Sequence, residues 1–228
     1  YFSEAALNRA RVRVEIEWLI TLCHEGVAGS TSLPAKTIAA LRKTVADFGP
    51  EDIAQIVHLE ATTKHDVKAV EYYVRDVLAS HGMESLQELV HFGCTSEDIN
   101  NVSYALVTRD ALTSVWLPAF SSVLNRLTEL AKSWREVPML ARTHGQPATP
   151  TTFGKELAVF ASRLARVSER ITHAPFLAKF SGATGTFSAH VVAEPAVNWP
   201  IVSKNFVEGL GLTWNPLTTQ IESHDGAA

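Results

Sequence analysis

The feature that most limits the fold of this chain is a stretch of helical periodicity running from Ser96 to about Glu136. Ile99, Val102, Leu106, Leu112, Val115, Trp116, Phe120, Leu124, Leu127 and Leu130 keep an apolar stripe through it. Globular helices average only ~11–12 residues, so a run of this length fits a bundle of long helices. Asp98, Arg109, Asp110, Arg126, Glu129 and Lys132 interrupt the stripe with charge, which rules out a membrane span. Pro118 has no amide proton and should kink or split the run.

The flanking sequence is helical too. Leu7, Ala10, Val14, Trp18 and Leu22 mark a first helix stopped at Gly26, and residues 27–34 read as a loop ending at Pro34. A second helix is expected over 35–47. Gly49-Pro50-Glu51-Asp52 opens a third, with proline tolerated in the first turn and acids favoured at the positive end of the dipole. Further helices are expected over 66–79 and 84–91. Residues 137–150 read as a loop, 151–174 as a helix, 175–198 as irregular, 199–210 as a short helix and 212–228 as a loop-like tail. The expected class is all-α: a long-helix bundle with irregular loops carrying the site residues. The expected domains are 1–94, helical, and 95–228, the start of an incomplete long-helix bundle domain.

At 228 residues the chain is long enough for one or two domains. Its net charge of −4 is scattered in both signs, which gives no reason to expect a nucleic-acid or membrane partner. Cys23 and Cys94 make no disulfide framework and fit a reducing cytosol, so a cytoplasmic location is expected. The start, Tyr1-Phe2-Ser3-Glu4, is not a signal peptide, and without an initiator Met the natural start is expected upstream.

Three clusters could carry chemistry. Lys64-His65-Asp66 sits at a predicted helix start, where free N–H groups and the dipole suit an anion. Lys64 adds charge and His65 a group titrating near neutrality, although Asp66 acting only as a cap explains the cluster as well. Thr95-Ser96-Glu97-Asp98 heads the long helix and resembles a capping box with Asp in place of Glu. The same hydroxyl and N–H donors would hold a carboxylate or phosphate. In Thr143-His144-Gly145-Gln146-Pro147 the histidine lies between turn formers, off any apolar face, and is a plausible general acid or base.

Weaker features are Ser181-Gly182-Ala183-Thr184-Gly185, a Gly-rich loop without the strand-then-helix setting of a dinucleotide site, and Thr218-Thr219-Gln220. His-Glu-x-x-His and paired Cys-x-x-Cys motifs are absent, so no metal is expected. Without Gly-x-Ser-x-Gly a serine hydrolase is a poor fit.

In order along the chain, His65-Asp66-Val67-Lys68-Ala69-Val70-Glu71-Tyr72, His91 to Asn101, Arg142-Thr143-His144-Gly145-Gln146-Pro147-Ala148-Thr149-Pro150 and Asn215 to Glu222 resemble the adenylosuccinate lyase family of the fumarase/aspartase superfamily. The resemblance runs over essentially the whole chain. It implies β-elimination of fumarate from adenylosuccinate, and from the succinyl imidazole-carboxamide ribotide, in purine nucleotide synthesis. It casts His144 as the acid, places Lys64, His65, Asp66, Thr95, Ser96 and Gln220 against the substrate, and implies a homotetramer with neither metal nor organic cofactor. A Ser-Ser-x-Met-Pro-x-Lys-x-Asn-Pro loop bearing the family's serine base is absent from this sequence. So is the family's upstream Arg-Tyr phosphate contact, and Gly226-Ala227-Ala228 departs from the helix expected after His224-Asp225. The chain alone is therefore expected to be inactive. Another fumarate-releasing lyase, such as an argininosuccinate lyase, or a helical oligomerisation module without chemistry are the competing readings.

Overall fold

Ser3 starts the first helix by accepting the Ala6 N–H on Oγ at 3.2 Å, and Gly26, in the left-handed region at φ 73°, ends it. The structure, a computed structural model, describes residues 1–225. In chain order its helices are α1 (Glu4–Glu25), α2 (Ala35–Asp47), α3 (Pro50–Thr63), α4 (Asp66–Ser80), α5 (Ser96–Ala111), α6 (Leu117–Ser133), α7 (Phe153–Thr172), α8 (Ser188–Ala193) and α9 (Trp199–Gly209). The strands are short: β1 (Pro138–Thr143), β2 (Gln146–Thr152), β3 (Leu177–Ala178) and β4 (Thr213–Trp214). The class is all-α, as the periodicity predicts.

The chain divides into two compact units, one of Tyr1–Arg109 with the chain from Pro175 onward, the other Asp110–Ala174. The boundary expected at residue 95 lies inside the first unit.

In the first unit α1 is buried on nearly every side, against α2, α4 and α9. Val12, Val14, Ile16, Trp18, Leu19 and Leu22 are its apolar contribution to the core. Trp18 is the centre of an aromatic cluster, with Phe180 at 4.4 Å and Phe206 at 5.1 Å between ring centroids, and its Nε1 donates to the Phe92 carbonyl at 3.0 Å. Two charged residues on the same helix, Arg11 and Glu15, are also buried, and both are paired. Arg11 reaches Asn8, Asn100 and Asp66, and Glu15 reaches His91. The parallel pair β3–β4 brings residues 177–178 beside 213–214.

The long run after Ser96 splits close to where proline predicts, one turn earlier. Residues 112–116 form a π-helical turn in which the Leu117 N–H bonds the Leu112 carbonyl, five residues back. Pro118 then falls in the first turn of α6. A wider turn accommodates a residue that can make no bond to the fourth carbonyl behind it.

Three sequence expectations change. Residues 137–150 are not a loop: β1 and β2 form an antiparallel hairpin with a register shift between Leu140 and Arg142. Pro138, Pro147 and Pro150 hide it, because proline cannot donate to a ladder and argues against a strand. Residues 84–89 are a 3₁₀ helix, and the segment read as irregular contains α8 and β3. The expectation concerning Gly226-Ala227-Ala228 lies outside the described residues.

In the second unit the hairpin leads directly from α6 into α7, and the two helices pack together. Gly154, in the first turn of α7, makes that approach possible. A Cβ there would run into the Ala131 carbonyl and come within 2.6 Å of the Arg135 backbone. Gly154→Ala should therefore destabilise this unit by about 1–3 kcal/mol. Urea unfolding followed by circular dichroism checks it, and an unchanged midpoint removes the close-approach explanation.

Candidate active site

Two helix starts in the first unit face one another. His65 is the N-cap of α4, with extended backbone, and its Nδ1 accepts the Lys68 N–H at 3.2 Å. With Nδ1 used as an acceptor, the neutral ring carries its proton on Nε2. That nitrogen lies 3.4 Å from the Ser96 hydroxyl at the start of α5, so the donor is the imidazole. Lys64, one residue earlier, ends α3 in the left-handed region at φ 55°. That conformation, uncommon outside glycine, closes the helix, and the Lys64 N–H bonds the Glu60 carbonyl at 2.8 Å. Asp66 lies in the first turn of α4 with its carboxylate 2.6 Å from the buried Arg11 guanidinium. Burial pushes the Asp66 carboxyl up, but the Val67 N–H and Arg11 outweigh it and hold it below its ordinary value.

Thr95 completes this corner. The expected capping box is half formed: Asp98 accepts the Thr95 N–H at 2.9 Å, while the Thr95 hydroxyl accepts from the Gln220 side-chain amide at 3.2 Å. The structure thus gathers His65 with Ser96, and Thr95 with Gln220, as donors and hydroxyls at two positive helix ends.

Beneath the helix start lies a feature that sequence reading missed. Asp98 and Lys179 are both 0% exposed and paired at 2.9 Å. Asp98 also receives the N–H groups of Ser181 and Gly182, at 2.9 and 3.1 Å. Asn101 exchanges bonds with the Lys179 backbone in both directions, at 3.0 and 2.8 Å. The available signal was a lysine inside the apolar run Phe176-Leu177-Ala178-Lys179-Phe180.

Two further histidines are held in opposite states. His91 Nδ1 lies 2.6 Å from the buried Glu15 carboxylate. Burial alone would lower its pKa, but the hydrogen bond and charge of Glu15, with Glu71 and Asp98 beyond, raise it above the ordinary value. His190 is fully buried against Trp18, Trp199 and Phe187, and neither ring nitrogen has a hydrogen-bond partner. Burial depresses its pKa to about 4, with the Asp98 charge opposing and Lys179 adding to the effect. Its ring fills the space over Gly93, where a Cβ would collide with it.

His144 belongs to the second unit. It is exposed at the hairpin tip, where His144 and Gly145 form the two-residue turn with φ 51° and 77°. Positive φ at both positions matches the turn that right-twisted hairpins favour, and histidine enters that region more readily than most residues. The histidine that the sequence sets among turn formers thus lies at the tip of a hairpin rather than in a loop.

Among the described residues no helix is long and apolar enough to cross a membrane.

The family model described as Lyase matches residues 2–228, and the chain belongs to that family. Curated adenylosuccinate lyases are similar over its whole length. That of Escherichia coli (strain K12) is 44% identical over 98% of this chain and 50% of its own length. That of Legionella pneumophila (strain Corby) is 44% identical over 100% and 50%. The chain thus spans about half the length of the curated relatives it matches. Among solved structures, a fumarate lyase from Mesorhizobium sp. BNC1 superposes with a TM-score of 0.75 at 24% identity, covering 95% of this chain and 48% of the other. A 3-carboxy-cis,cis-muconate lactonizing enzyme from Pseudomonas putida gives 0.72 at 23% identity, over 94% and 46%. These two establish the fold.

The histidines set a pH dependence of stability. His190 stays neutral in the folded chain down to about pH 4, whereas the unfolded residue protonates near 6.5. Stability should fall as pH drops from 6.5 to 4, by roughly 3 kcal/mol in total. His91 has the opposite sign: its contribution is complete below the ordinary value and lost as pH rises through the raised one. Urea midpoints across pH 4–6.5 test the first statement, since His190→Leu should flatten the slope and an unchanged slope would refute it.

Proposed function

We propose that the protein to which this chain contributes is an adenylosuccinate lyase, releasing fumarate from adenylosuccinate and from the succinyl imidazole-carboxamide ribotide. The observation that carries the reading is the convergence of His65, Ser96, Thr95 and Gln220, chosen on sequence resemblance, into one donor-rich corner at two helix starts. The 44% identity to adenylosuccinate lyases across 98% of the chain supports it.

In this reading the corner holds a succinyl carboxylate. Such a group accepts hydrogen bonds only, which suits the Lys64 ammonium and the Thr95 and Ser96 hydroxyls, the His65 Nε2–H donating to Ser96 Oγ and leaving that hydroxyl's own proton for the carboxylate. A base removes the proton from the succinyl Cβ, that electron pair forms the fumarate double bond, and the C–N bond breaks. His144 donates a proton to the departing nitrogen. Holding the carboxylate fixes the Cβ–H and C–N bonds in the arrangement that elimination needs. No metal or organic cofactor takes part. Asp66 positions this corner through Arg11.

We place the enzyme in the cytoplasm as a homotetramer. Val123, Val159, Phe160 and Val167 on α6 and α7 are 54%, 41%, 56% and 48% exposed, an apolar surface of the kind association covers. We keep residue 95 as the start of the bundle domain because α5 begins at Ser96 and the chain continues through the π turn into α6.

Absorbance change on incubating the full-length protein with adenylosuccinate reports the elimination. His144→Ala should reduce it at least ~100-fold, as for loss of a general acid, with unchanged helical circular dichroism. Retained turnover would remove His144 from the acid role, and turnover of argininosuccinate instead would replace the substrate. The 228-residue chain alone should show no turnover.

A further inference from the structure

The Ser181–Gly185 loop has no part in the reading above. Its composition suggests an anion cradle, yet the Ser181 and Gly182 N–H groups are already given to Asp98, at 2.9 and 3.1 Å. The far end of the loop does something else. Gly185, at φ 74°, sits directly on the backbone of Thr218 and Thr219. A Cβ there would collide with the Thr218 carbonyl oxygen and lie 2.7 Å from that of Thr219. Gln220 follows at once, and its amide donates to the Thr95 hydroxyl at 3.2 Å. The Thr95 N–H leads back to Asp98 at 2.9 Å. The contacts close a ring: Asp98, the loop, the 218–220 segment, Thr95, and Asp98 again.

We infer that Gly185 is a positioning residue for the carboxylate corner: by letting the loop seat on the Thr218–Thr219 backbone, it sets where the Gln220 amide stands and so how the Thr95 hydroxyl is aimed. The inference rests on the reading of Thr95 and Gln220 as substrate contacts. The chemistry follows from hydrogen-bond capacity. The Thr95 N–H is committed to Asp98 and its Oγ accepts from Gln220, so the hydroxyl proton points elsewhere, as a donor. Without the Gln220 amide the hydroxyl turns freely and loses that aim. The Gln220–Thr95 bond has little slack. From 3.2 Å, a backbone displacement of a few tenths of an ångström takes it beyond hydrogen-bonding distance. The atoms that a Cβ would meet are backbone, which cannot swing aside as a flexible side chain would.

The test is a double-mutant cycle in the full-length enzyme, with kcat and KM for adenylosuccinate measured well below the melting temperature. Gly185→Ala should raise KM roughly tenfold, the effect of losing one aligned hydrogen bond, with a smaller change in kcat. In a Gln220→Ala background the same substitution should change KM less than about twofold. Equal effects in both backgrounds, or an unchanged KM in the single variant, overturn the inference. Gly185→Asn tolerates left-handed backbone but keeps the colliding Cβ, so it should reproduce the rise if the alanine variant folds poorly. Gly82→Ala, at φ 69° in open space, controls for backbone strain and should leave KM unchanged. A crystal structure of Gly185→Ala decides the point without turnover. The Gln220 amide should stand more than 3.5 Å from Thr95 Oγ, and an unmoved amide overturns the inference. Failure of the full-length protein to cleave adenylosuccinate would overturn the functional reading instead.

Discussion

A carboxylate shut away from water must find its donors inside the protein, and Asp98 finds four: the Lys179 ammonium and the N–H groups of Thr95, Ser181 and Gly182. Burying the two charges is expensive, several kcal/mol for each ion even after relaxation, and such a pair adds little stability over a well-packed apolar substitute. Its value is geometric. One donor comes from the start of α5 and three from residues 179–182, so the carboxylate fixes that helix start against that segment. Asn101 repeats the connection one turn further along α5 through its two bonds to Lys179. The candidate site rests on this node, because Thr95 and Ser96 are the residues immediately above it.

The histidines show how environment divides one side chain among several tasks. His65 gives one nitrogen to a helix N–H and presents the other as a donor beside Ser96. His91 is held toward its charged form by Glu15, which bonds both its ring and its backbone N–H. His190 is held neutral in an aromatic enclosure, where it serves as packing between Trp18, Trp199 and the glycine at 93. Only the surroundings separate these roles, which is why histidine count says little about chemistry.

The helices were legible because their stripes and stop signals are local: Gly26 ends α1, and Gly49-Pro50 opens α3 as composition implies. The residues at the two helix starts were legible through motif order. Contacts distant in sequence were not. Asp98 and Lys179 lie far apart along the chain, and Asp98 reads locally as a mere capping acid. The hairpin was obscured by its prolines, which mimic loop composition while occupying positions that require no N–H donation. The π turn differs from an α turn by one hydrogen bond, and Pro118 located it only to within a turn.

The hairpin tip carries one more meaning. Its two turn residues both lie at positive φ, a geometry for which Asn followed by Gly is the strongest choice. The chain has Gly145 in the second place but an imidazole in the first. Asparagine at position 144 would fold at least as well, so local stability does not account for the ring. Under the acid role proposed for His144, an imidazole in place of the better turn former is a compromise between stability and activity. Here that compromise is confined to a single side chain on a two-stranded support, where the rest of the fold need not adjust to it.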